Sequence, residues 1–236
     1  MPLSCGLEQL TVIRHGQSMA NVLFAEAEPD AGVRELAESG DARVPLSPLG
    51  RRQAQATGEW LAALGPDDRP HLVLCSPYSR ALQTWEGITS VLREPPPPML
   101  VDERLRDREM GTLELLTPSA VRARAPQEAE RRARVGEWFY RPPGGESLAD
   151  VTVRLRDLLV ELRDAAAGRR VLMVAHDAVV AAVRHALAGL GSPAPDLLPV
   201  PNASISRWAG GNGRLWLVEY GSTAHHSPVQ GLSDGS

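Results

Sequence analysis

The sequence predicts an α/β protein, a three-layer sandwich in which helices cover both faces of a mainly parallel sheet of about six strands. Three observations predict this class. Short apolar runs rich in β-branched residues alternate with longer stretches of helical periodicity. Such alternation is typical of a parallel sheet with helices on both faces. The run at residues 171–175 is also continuously apolar, as a central strand buried on both faces would be.

Six segments are predicted to be strands. The last two alternate about a glycine-rich turn at residues 210–213, which indicates a terminal hairpin and gives the sheet an antiparallel edge strand. In chain order, the expected strands are residues 10–13, 72–75, 99–101, 171–175, 204–209 and 214–220.

The stretches between these strands have helix signals. Ser47 followed by Pro48 predicts a helix start, because a serine cap with proline at the first helical position suits a helix N-terminus. Gly65-Pro66 would end the same helix. In chain order, the expected helices are residues 49–64, 78–92, 146–167 and 178–190, with a partly helical stretch at 21–38 and a charged helical region at 117–138 that is broken near Pro126.

Length and charge exclude several classes of protein. The chain has 236 residues, 43% of them hydrophobic, and its net charge of −4 provides no basic footprint for nucleic acid. It has no run of about 18 apolar residues and no signal-peptide pattern at its start, which predicts a cytoplasmic protein that does not bind membranes. The two cysteines form no disulfide framework. We expect one domain over residues 1–221 and a disordered polar tail over residues 222–236.

Strongly polar groups follow four of the predicted strands. These groups are Arg14 and His15 after the first strand, Arg80 after the second, Asp107 and Glu109 after the third, and His176 after the fourth. The carboxyl ends of parallel strands meet at one edge of a sheet, which is where ligands bind in open α/β folds. Two guanidinium groups, two imidazoles and a carboxylic acid could hold a phosphoryl group, attack it and protonate the leaving alcohol.

Sequence motifs spread along the chain resemble, in their order, those of the histidine phosphatase superfamily, in its phosphoglycerate mutase-like branch. The segments that carry the resemblance are residues 14–18 with Asn21, 79–84, 105–111, 144–147, 171–176 and 201–204. The resemblance covers about residues 10 to 220 and implies the phosphoglycerate mutase-like form of the α/β/α sandwich.

The resemblance also implies a role for each matching residue. His15 would be the nucleophile that takes the phosphoryl group, with its other ring nitrogen donating to a backbone carbonyl near Gly16. Arg14 and Arg80 would bind the non-bridging phosphate oxygens. Protonated His176 would donate to the same oxygens, and Asn21 would contact phosphate through its amide.

The proton donor is less clearly marked by the motif. The family's position corresponds to Asp107, where glutamate is commoner, and Glu109 is the second candidate. Asp177 is a third, because another branch of the superfamily has aspartate as proton donor after the second histidine. Here Asp177 is interpreted as a cap of the following helix.

The sequence therefore predicts a metal-independent phosphatase that hydrolyses a phosphomonoester through phosphohistidine on His15, with no cofactor. Two alternatives remain open: a phosphoglycerate-type phosphomutase, and a catalytically weak module that binds a phospho-ligand or a protein. A homodimer is compatible with the sequence. No metal site is expected, because the arginines beside the two histidines repel a cation.

The expected substrate is a small-molecule phosphate ester, such as a sugar phosphate or a phosphoglycerate-like compound. Residues 141–147 are most similar to a segment of fructose-2,6-bisphosphatases, and Gln17 is placed among the substrate contacts. The arginines expected to bind a second acidic group of the substrate are Arg108, Arg131, Arg132, Arg134 and Arg141. In this family, substrate choice depends on variable insertions, here residues 24–44 and 113–140.

Overall fold

One sheet of six strands organises the computed structural model, which describes residues 3–25, 40–189, 193 and 196–226. The strands are β1 (Gln9–Arg14), β2 (Leu72–Cys75), β3 (Met99–Val101), β4 (Arg170–Ala175), β5 (Ile205–Gly211) and β6 (Arg214–Ser222). They lie in the order β3-β2-β4-β1-β5-β6. The first four are parallel, while the pairings of β5 with β1 and with β6 are antiparallel. The predicted fold class is confirmed.

Seven helices lie among the described residues. They are α1 (Met19–Ala25), α2 (Pro48–Ala63), α3 (Ser79–Thr89), α4 (Pro118–Arg124), α5 (Pro126–Val135), α6 (Leu148–Ala165) and α7 (Asp177–Ala188). The charged region divides into α4 and α5 at Pro126, as its sequence indicates. No helix in the described part of the chain is both long and apolar enough to cross a membrane.

Side-chain caps fix where the two longest helices begin. The Ser47 hydroxyl accepts a hydrogen bond from the Gly50 amide, and Pro48 occupies the first helical position, as predicted. Ser147 and Asp150 form a reciprocal capping box at the start of α6. Each cap satisfies amide groups that have no partner within the helix.

Two apolar clusters, one on each face of the sheet, form the core. Successive strand residues point to opposite faces, so Val12 packs with α6 and α7, and the next residue, Ile13, packs with α2 and α3. In β4, Met173 belongs to the first cluster and Val174 to the second. The sheet thus forms the middle layer of three.

The polar tail begins later than the sequence indicates. Strand β6 continues to Ser222, and a 3-10 turn follows at Ala224–His226, where His226 is buried and His225 Nε2 lies 3.1 Å from Thr57 Oγ1. Residues 222–226 are therefore ordered by contacts with α2, which the local composition did not reveal. The rest of the predicted tail, 227–236, lies outside the described residues. So do residues 26–38 of the stretch predicted as partly helical, while its first residues, 21–25, belong to α1.

Candidate active site

The two predicted histidines are neighbours because β1 and β4 are adjacent and parallel. Arg14 pairs in register with Ala175, so His15 and His176 leave the sheet side by side. The His15 amide donates to the Ala175 carbonyl over 2.9 Å. The two ring centroids lie 5.1 Å apart. Residues 161 positions apart in sequence are thus in contact at the carboxyl edge of the sheet.

His15 is buried and held in one tautomer. Its side chain is only 2% exposed, and Nδ1 lies 2.7 Å from the Gly16 carbonyl oxygen. Because a carbonyl can only accept, Nδ1 has the proton and donates it, which leaves the lone pair on Nε2. Burial, followed by the charges of His176 and Arg80, holds the pKa of His15 well below its usual value. The ring is therefore neutral, as a nucleophile requires.

The turn after β1 needs glycine at position 16. A Cβ there would lie 2.4 Å from the backbone oxygen of Gly50, near the start of α2. The Gly16 amide also donates to Thr84 Oγ1 over 3.0 Å. The absence of a side chain lets the turn lie directly against α2 and α3, which fixes the position of the His15 ring.

Arg80 is buried at the start of α3 and contacts two carboxylates. Its Nη1 and Nη2 each lie 3.0 Å from an oxygen of Asp41, and Nη2 also lies 2.8 Å from Asp107 Oδ2. The guanidinium fork is therefore fully occupied in the absence of ligand. Phosphate oxygens have the same fork-matching geometry as these carboxylates.

Arg14 contacts two other segments of the chain, one at Val200 and one at Asp177. Its Nη1 donates to the Val200 carbonyl over 2.6 Å, and its Nη2 lies 3.3 Å from Asp177 Oδ2. Its Nε is buried and has no hydrogen-bond partner among the described residues. A buried donor of this kind is normally satisfied, so it indicates a place for an acceptor.

His176 is completely buried beneath the site. Its Nε2 lies 2.9 Å from Ser76 Oγ, and its Nδ1 lies 3.2 Å from Asp107 Oδ2, at ion-pair distance but without hydrogen-bond geometry. Burial lowers the pKa of His176, although the Asp107 charge acts in the opposite direction. The protonated form implied by the resemblance is therefore disfavoured without ligand, and a bound phosphate dianion would favour it.

Asp107 differs from the two other candidate acids in its contacts. Burial by itself would raise the pKa of Asp107, but its interactions with His176 and Arg80 outweigh burial and hold that pKa well below the usual value. Glu109 is 44% exposed and pairs with Arg106. Asp177 is the first residue of α7 and accepts from the Ala178 amide, so it contacts the helix start without being its N-cap residue.

Asn21 is oriented by three donors to its side-chain oxygen. Oδ1 accepts from the Ser18 amide, the Ser18 hydroxyl and Asn202 Nδ2, at 3.0, 2.9 and 3.1 Å. Its amide nitrogen is therefore the group left to donate to a ligand. Asn202 also donates to the His15 carbonyl over 3.3 Å, so it connects the strand-end turn to α1.

The residues predicted to bind the remainder of the substrate are engaged elsewhere. Arg108 donates to the carbonyls of Glu146 and Tyr140 and to Glu137, over 2.6 to 2.7 Å. The amide oxygen of Gln17 accepts from Ser47 Oγ, and Gln17 does not line the cavity. Arg141 is exposed and pairs with Asp150, away from the cavity.

A cavity of about 510 Å³ opens over the side chains of Arg14, His15 and Arg80. This volume suits a small molecule. Its outer wall is formed by the 3-10 turns at Asp41–Arg43 and Gly111–Leu113 and by residues beside them.

One group of described side chains could offer ligands to a metal ion. Ligand atoms of His15, Asp107 and His176 all lie within 4.8 Å of one another. The group suits a cation poorly, because the Arg80 guanidinium contacts the same Asp107 oxygen and repels positive charge. The arrangement is better suited to an anion.

Sequence reasoning missed Asp41 and Ser76. Ser76 directly follows β2, and its position next to His176 could have been inferred from the pairing of β2 with β4. Asp41 lies on a turn within one of the variable insertions, and no motif marks it. Asn202 was part of a matching motif but had no role assigned.

Comparisons with known proteins agree with this geometry. A model of the histidine phosphatase superfamily (branch 1) matches residues 10–223. A glucosyl-3-phosphoglycerate phosphatase of Mycolicibacterium vanbaalenii is 33% identical over 78% of this chain and 76% of its own. A 2,3-bisphosphoglycerate-dependent phosphoglycerate mutase of Gloeobacter violaceus is 30% identical over 74% and 73%.

Solved structures share the fold. The mycobacterial glucosyl-3-phosphoglycerate phosphatase in complex with VO3 superposes with a TM-score of 0.70 at 30% identity, covering 92% of this chain and 100% of its own. An Escherichia coli protein described as a putative alpha-ribazole-5'-P phosphatase has a TM-score of 0.73 at 20% identity, over 92% and 98%. At that identity the second likeness concerns the fold alone.

Proposed function

The chain belongs to the histidine phosphatase superfamily (branch 1), and we propose that it hydrolyses small-molecule phosphomonoesters through a phosphohistidine on His15. The observation on which this rests most is the hydrogen bond of 2.7 Å between His15 Nδ1 and the Gly16 carbonyl. It leaves Nε2 with a lone pair in a site bordered by Arg14 and Arg80. An unprotonated ring nitrogen beside two phosphate-binding cations suits phosphoryl transfer.

In the first step, Arg14, Arg80 and the Asn21 amide bind the non-bridging oxygens of the ester. Arg80 exchanges its carboxylate contacts for phosphate contacts of the same geometry. Nε2 of His15 then attacks phosphorus, and the bond between phosphorus and the ester oxygen breaks. The proposed donor of the proton to that oxygen is Asp107.

In the second step, water attacks the phosphorus of the phosphohistidine, and the bond from phosphorus to Nε2 breaks. Asp107 takes one proton from the water, and inorganic phosphate leaves. The same carboxyl group therefore acts first as acid and then as base, as microscopic reversibility requires.

The low pKa of Asp107 sets a requirement on the first step. Without ligand the carboxyl is ionised, so the proton must arrive with or after the substrate. Phosphate monoesters have a second pKa of about 6, so part of the substrate is a monoanion with a proton to transfer. A phosphate dianion bound beside Asp107 also raises the pKa of that carboxyl.

A purified sample with p-nitrophenyl phosphate, with and without EDTA, tests this proposal. We expect EDTA-resistant release of phosphate that is abolished in His15→Ala. A matched control is His71→Asn, which changes a histidine at the opposite end of β2 and keeps an acceptor for the Arg170 amide. Undiminished activity in His15→Ala would contradict the proposed nucleophile, and loss of activity with EDTA would contradict the metal-independent reaction.

A phosphomutase is the second candidate function, because one relative is named as a phosphoglycerate mutase. Its phosphohistidine would last long enough to donate to a second hydroxyl group. Adding 2,3-bisphosphoglycerate would then stimulate the conversion of 3-phosphoglycerate to its isomer. A phosphatase would release inorganic phosphate at the same rate with or without the bisphosphate, and a non-catalytic binding module would release none.

A further inference from the structure

We propose that the alcohol part of the substrate carries no acidic group and is either uncharged or cationic. This inference rests on the proposed phosphatase function and specifies its substrate class. The sequence leads us to expect a sugar phosphate or a phosphoglycerate-like substrate. The proposal excludes those of these compounds that have a second phosphate or a carboxylate. The argument depends on the charges that line the cavity and on how many of them are already paired.

Acidic side chains outnumber basic ones around the cavity. Among the described residues, its cations are Arg14, Arg80 and Arg108. Its acids are Asp41, Asp107, Glu109, Glu114 and Asp177. The chain contains no lysine, so arginine is the only residue type that could add a permanent cation.

Arg14 and Arg80 are the cations that a phosphate would use. Two such groups, with the Asn21 amide, match one phosphate dianion in charge and in donors. Once they are occupied, Asp41 and Asp177 lose their contacts with those guanidinium groups or share them with the ligand. The carboxylates then face the remainder of the substrate without full compensation, and they repel a second anion.

Arg108 does not provide charge for a second anion. Its side chain is 8% exposed, and its guanidinium donates to Glu137 and to two carbonyl oxygens. Binding a substrate carboxylate would break these contacts and leave buried acceptors unpaired, which is costly. Arg108 therefore fastens the loop that carries Asp107 and Glu109 to residues 137–146.

Three of the other four arginines expected to bind a second acidic group also have partners, and the fourth, Arg134, is exposed and lines neither this cavity nor an adjoining one. Arg131 pairs with Glu128, Arg132 with Glu137, and Arg141 with Asp150. Arg131 and Arg141 do not line the cavity, and Arg132 lines only an adjoining one, together with Glu137. Both charges of that pair therefore face the same space and cancel.

The remaining wall suits hydroxyl or ammonium groups on an apolar frame. Glu109 and Asp177 are about half exposed, at 44% and 50%, and their oxygens can accept hydrogen bonds from a substrate. The wall also has apolar residues, among them Phe24, Met110 and Leu113. A neutral or amine-bearing alcohol would find acceptors here, and a carboxylate would find no free donor among these described side chains.

Two matched pairs of phosphate esters test the proposal. sn-Glycerol 3-phosphate differs from 3-phosphoglycerate by a hydroxymethyl group in place of a carboxylate. Phosphoethanolamine differs from phosphoserine by the absence of a carboxylate. We expect kcat/KM for the member without the carboxylate to be higher by at least about tenfold in each pair, as an unbalanced like charge at this range would give. Equal values, or a preference for the carboxylates, would overturn the proposal.

A charge variant tests the cause. In the double variant Glu109→Gln with Glu114→Gln, two wall charges are removed and each side chain keeps one hydrogen-bonding oxygen. We expect the ratio of kcat/KM within each pair to fall at least about threefold. The control Asp67→Asn removes a charge from an exposed turn and should leave the ratio unchanged. A loss of fold or of general activity alters both members equally, so an unchanged ratio in the double variant would contradict the charge argument.

The outcomes distinguish this inference from the proposed function. If none of the esters is hydrolysed in a manner that depends on His15, the proposed function fails and the substrate class fails with it. If hydrolysis depends on His15 but the carboxylated esters are preferred, only the substrate class is overturned.

Discussion

The inner end of the cavity and its outer wall are built in different ways. At the inner end, His15 and His176 follow directly from two paired strands, and both side chains are buried. The outer wall is formed by 3-10 turns and residues beside them, with half-exposed charges such as Glu109. The residues at the inner end therefore determine the reaction, and the residues of the wall determine which substrates undergo it.

This difference has a physical cause. Residues at the ends of hydrogen-bonded strands are placed by the sheet, so their geometry survives changes elsewhere in the chain. Turn residues are placed by individual side-chain contacts, such as the Asp41 amide donating to Glu114 over 2.6 Å. Substitutions at the inner end should therefore change the rate of chemistry, and those in the wall should change selectivity or stability.

Among substitutions that compare the inner end with the wall, Asp107→Asn is expected to have the largest effect on kcat. The amide cannot donate or take the proton, so kcat for an alkyl phosphate should fall by about 10²–10⁴-fold. The fall should be smaller with p-nitrophenyl phosphate, whose leaving group needs little protonation. The matched control Glu109→Gln should stay within about threefold for both substrates. A large loss of kcat in Glu109→Gln with little loss in Asp107→Asn would assign the proton transfer to Glu109 in the wall.

Arg108→Met should destabilise the protein, because this guanidinium fastens the loop that carries Asp107 and Glu109 to residues 137–146. The variant leaves Glu137 and two carbonyl oxygens without their donor. The free energy of unfolding should fall by about 2–4 kcal/mol, as for the loss of one partner from a buried charge network. Arg141→Met breaks an exposed pair and should cost less than about 1 kcal/mol. Chemical denaturation measures both, and equal losses would contradict the distinction.

Acidification should destabilise the inner end. Burial lowers the pKa of both His15 and His176 in the folded state, whereas unfolded histidine titrates near pH 6.5. Below that pH the unfolded chain binds protons that the folded site does not, so stability falls as the pH falls. Titration of the unfolded histidine limits this loss, between pH 7.5 and pH 5.5, to about 1.4 kcal/mol for each histidine.

His15→Gln identifies the histidine contribution to this pH dependence. It removes one titrating group, so the thermal midpoint should fall less between pH 7.5 and pH 5.5 than in the unaltered protein. Asp107 contributes in the same direction but at lower pH, because its folded pKa is also depressed. A steeper fall in the variant would show that the ring is protonated in the folded state.

The smallest effects are expected for Gln17→Ala and Arg141→Ala, in separate variants. Neither side chain lines the cavity, so kcat/KM should change by less than about threefold, as for surface positions in general. A selective rise in KM for 3-phosphoglycerate in Arg141→Ala would contradict the conclusion that Arg141 does not contact the substrate. It would favour the substrate-binding role predicted for Arg141 from the sequence.

The sequence was most informative where residues follow strands. Arg14, His15, Arg80 and His176 could be placed together because parallel strand ends share an edge and their motifs follow in order. The tautomer of His15 could also be anticipated, since an attacking nitrogen requires the other nitrogen to donate.

The wall could not be predicted in the same way. Asp41 reaches Arg80 across 39 positions, and nothing in the local sequence indicates that contact. The arginines predicted to bind a second anion were judged by charge alone. Their partners, such as Asp150 for Arg141, depend on how α6 packs beside the preceding turn. Long-range ion pairs of this kind follow from the fold and have no sequence periodicity.

The most direct test of the account is to trap the phosphoryl group on the protein. The enzyme is mixed with excess p-nitrophenyl phosphate, quenched in base to preserve phosphohistidine, and analysed by mass spectrometry and by ³¹P NMR of the labelled peptide. We predict one phosphoryl group on Nε2 of His15, accumulating further in Asp107→Asn because its hydrolysis lacks a base. A phosphoryl group on another residue, or turnover without any labelled protein, would contradict the account.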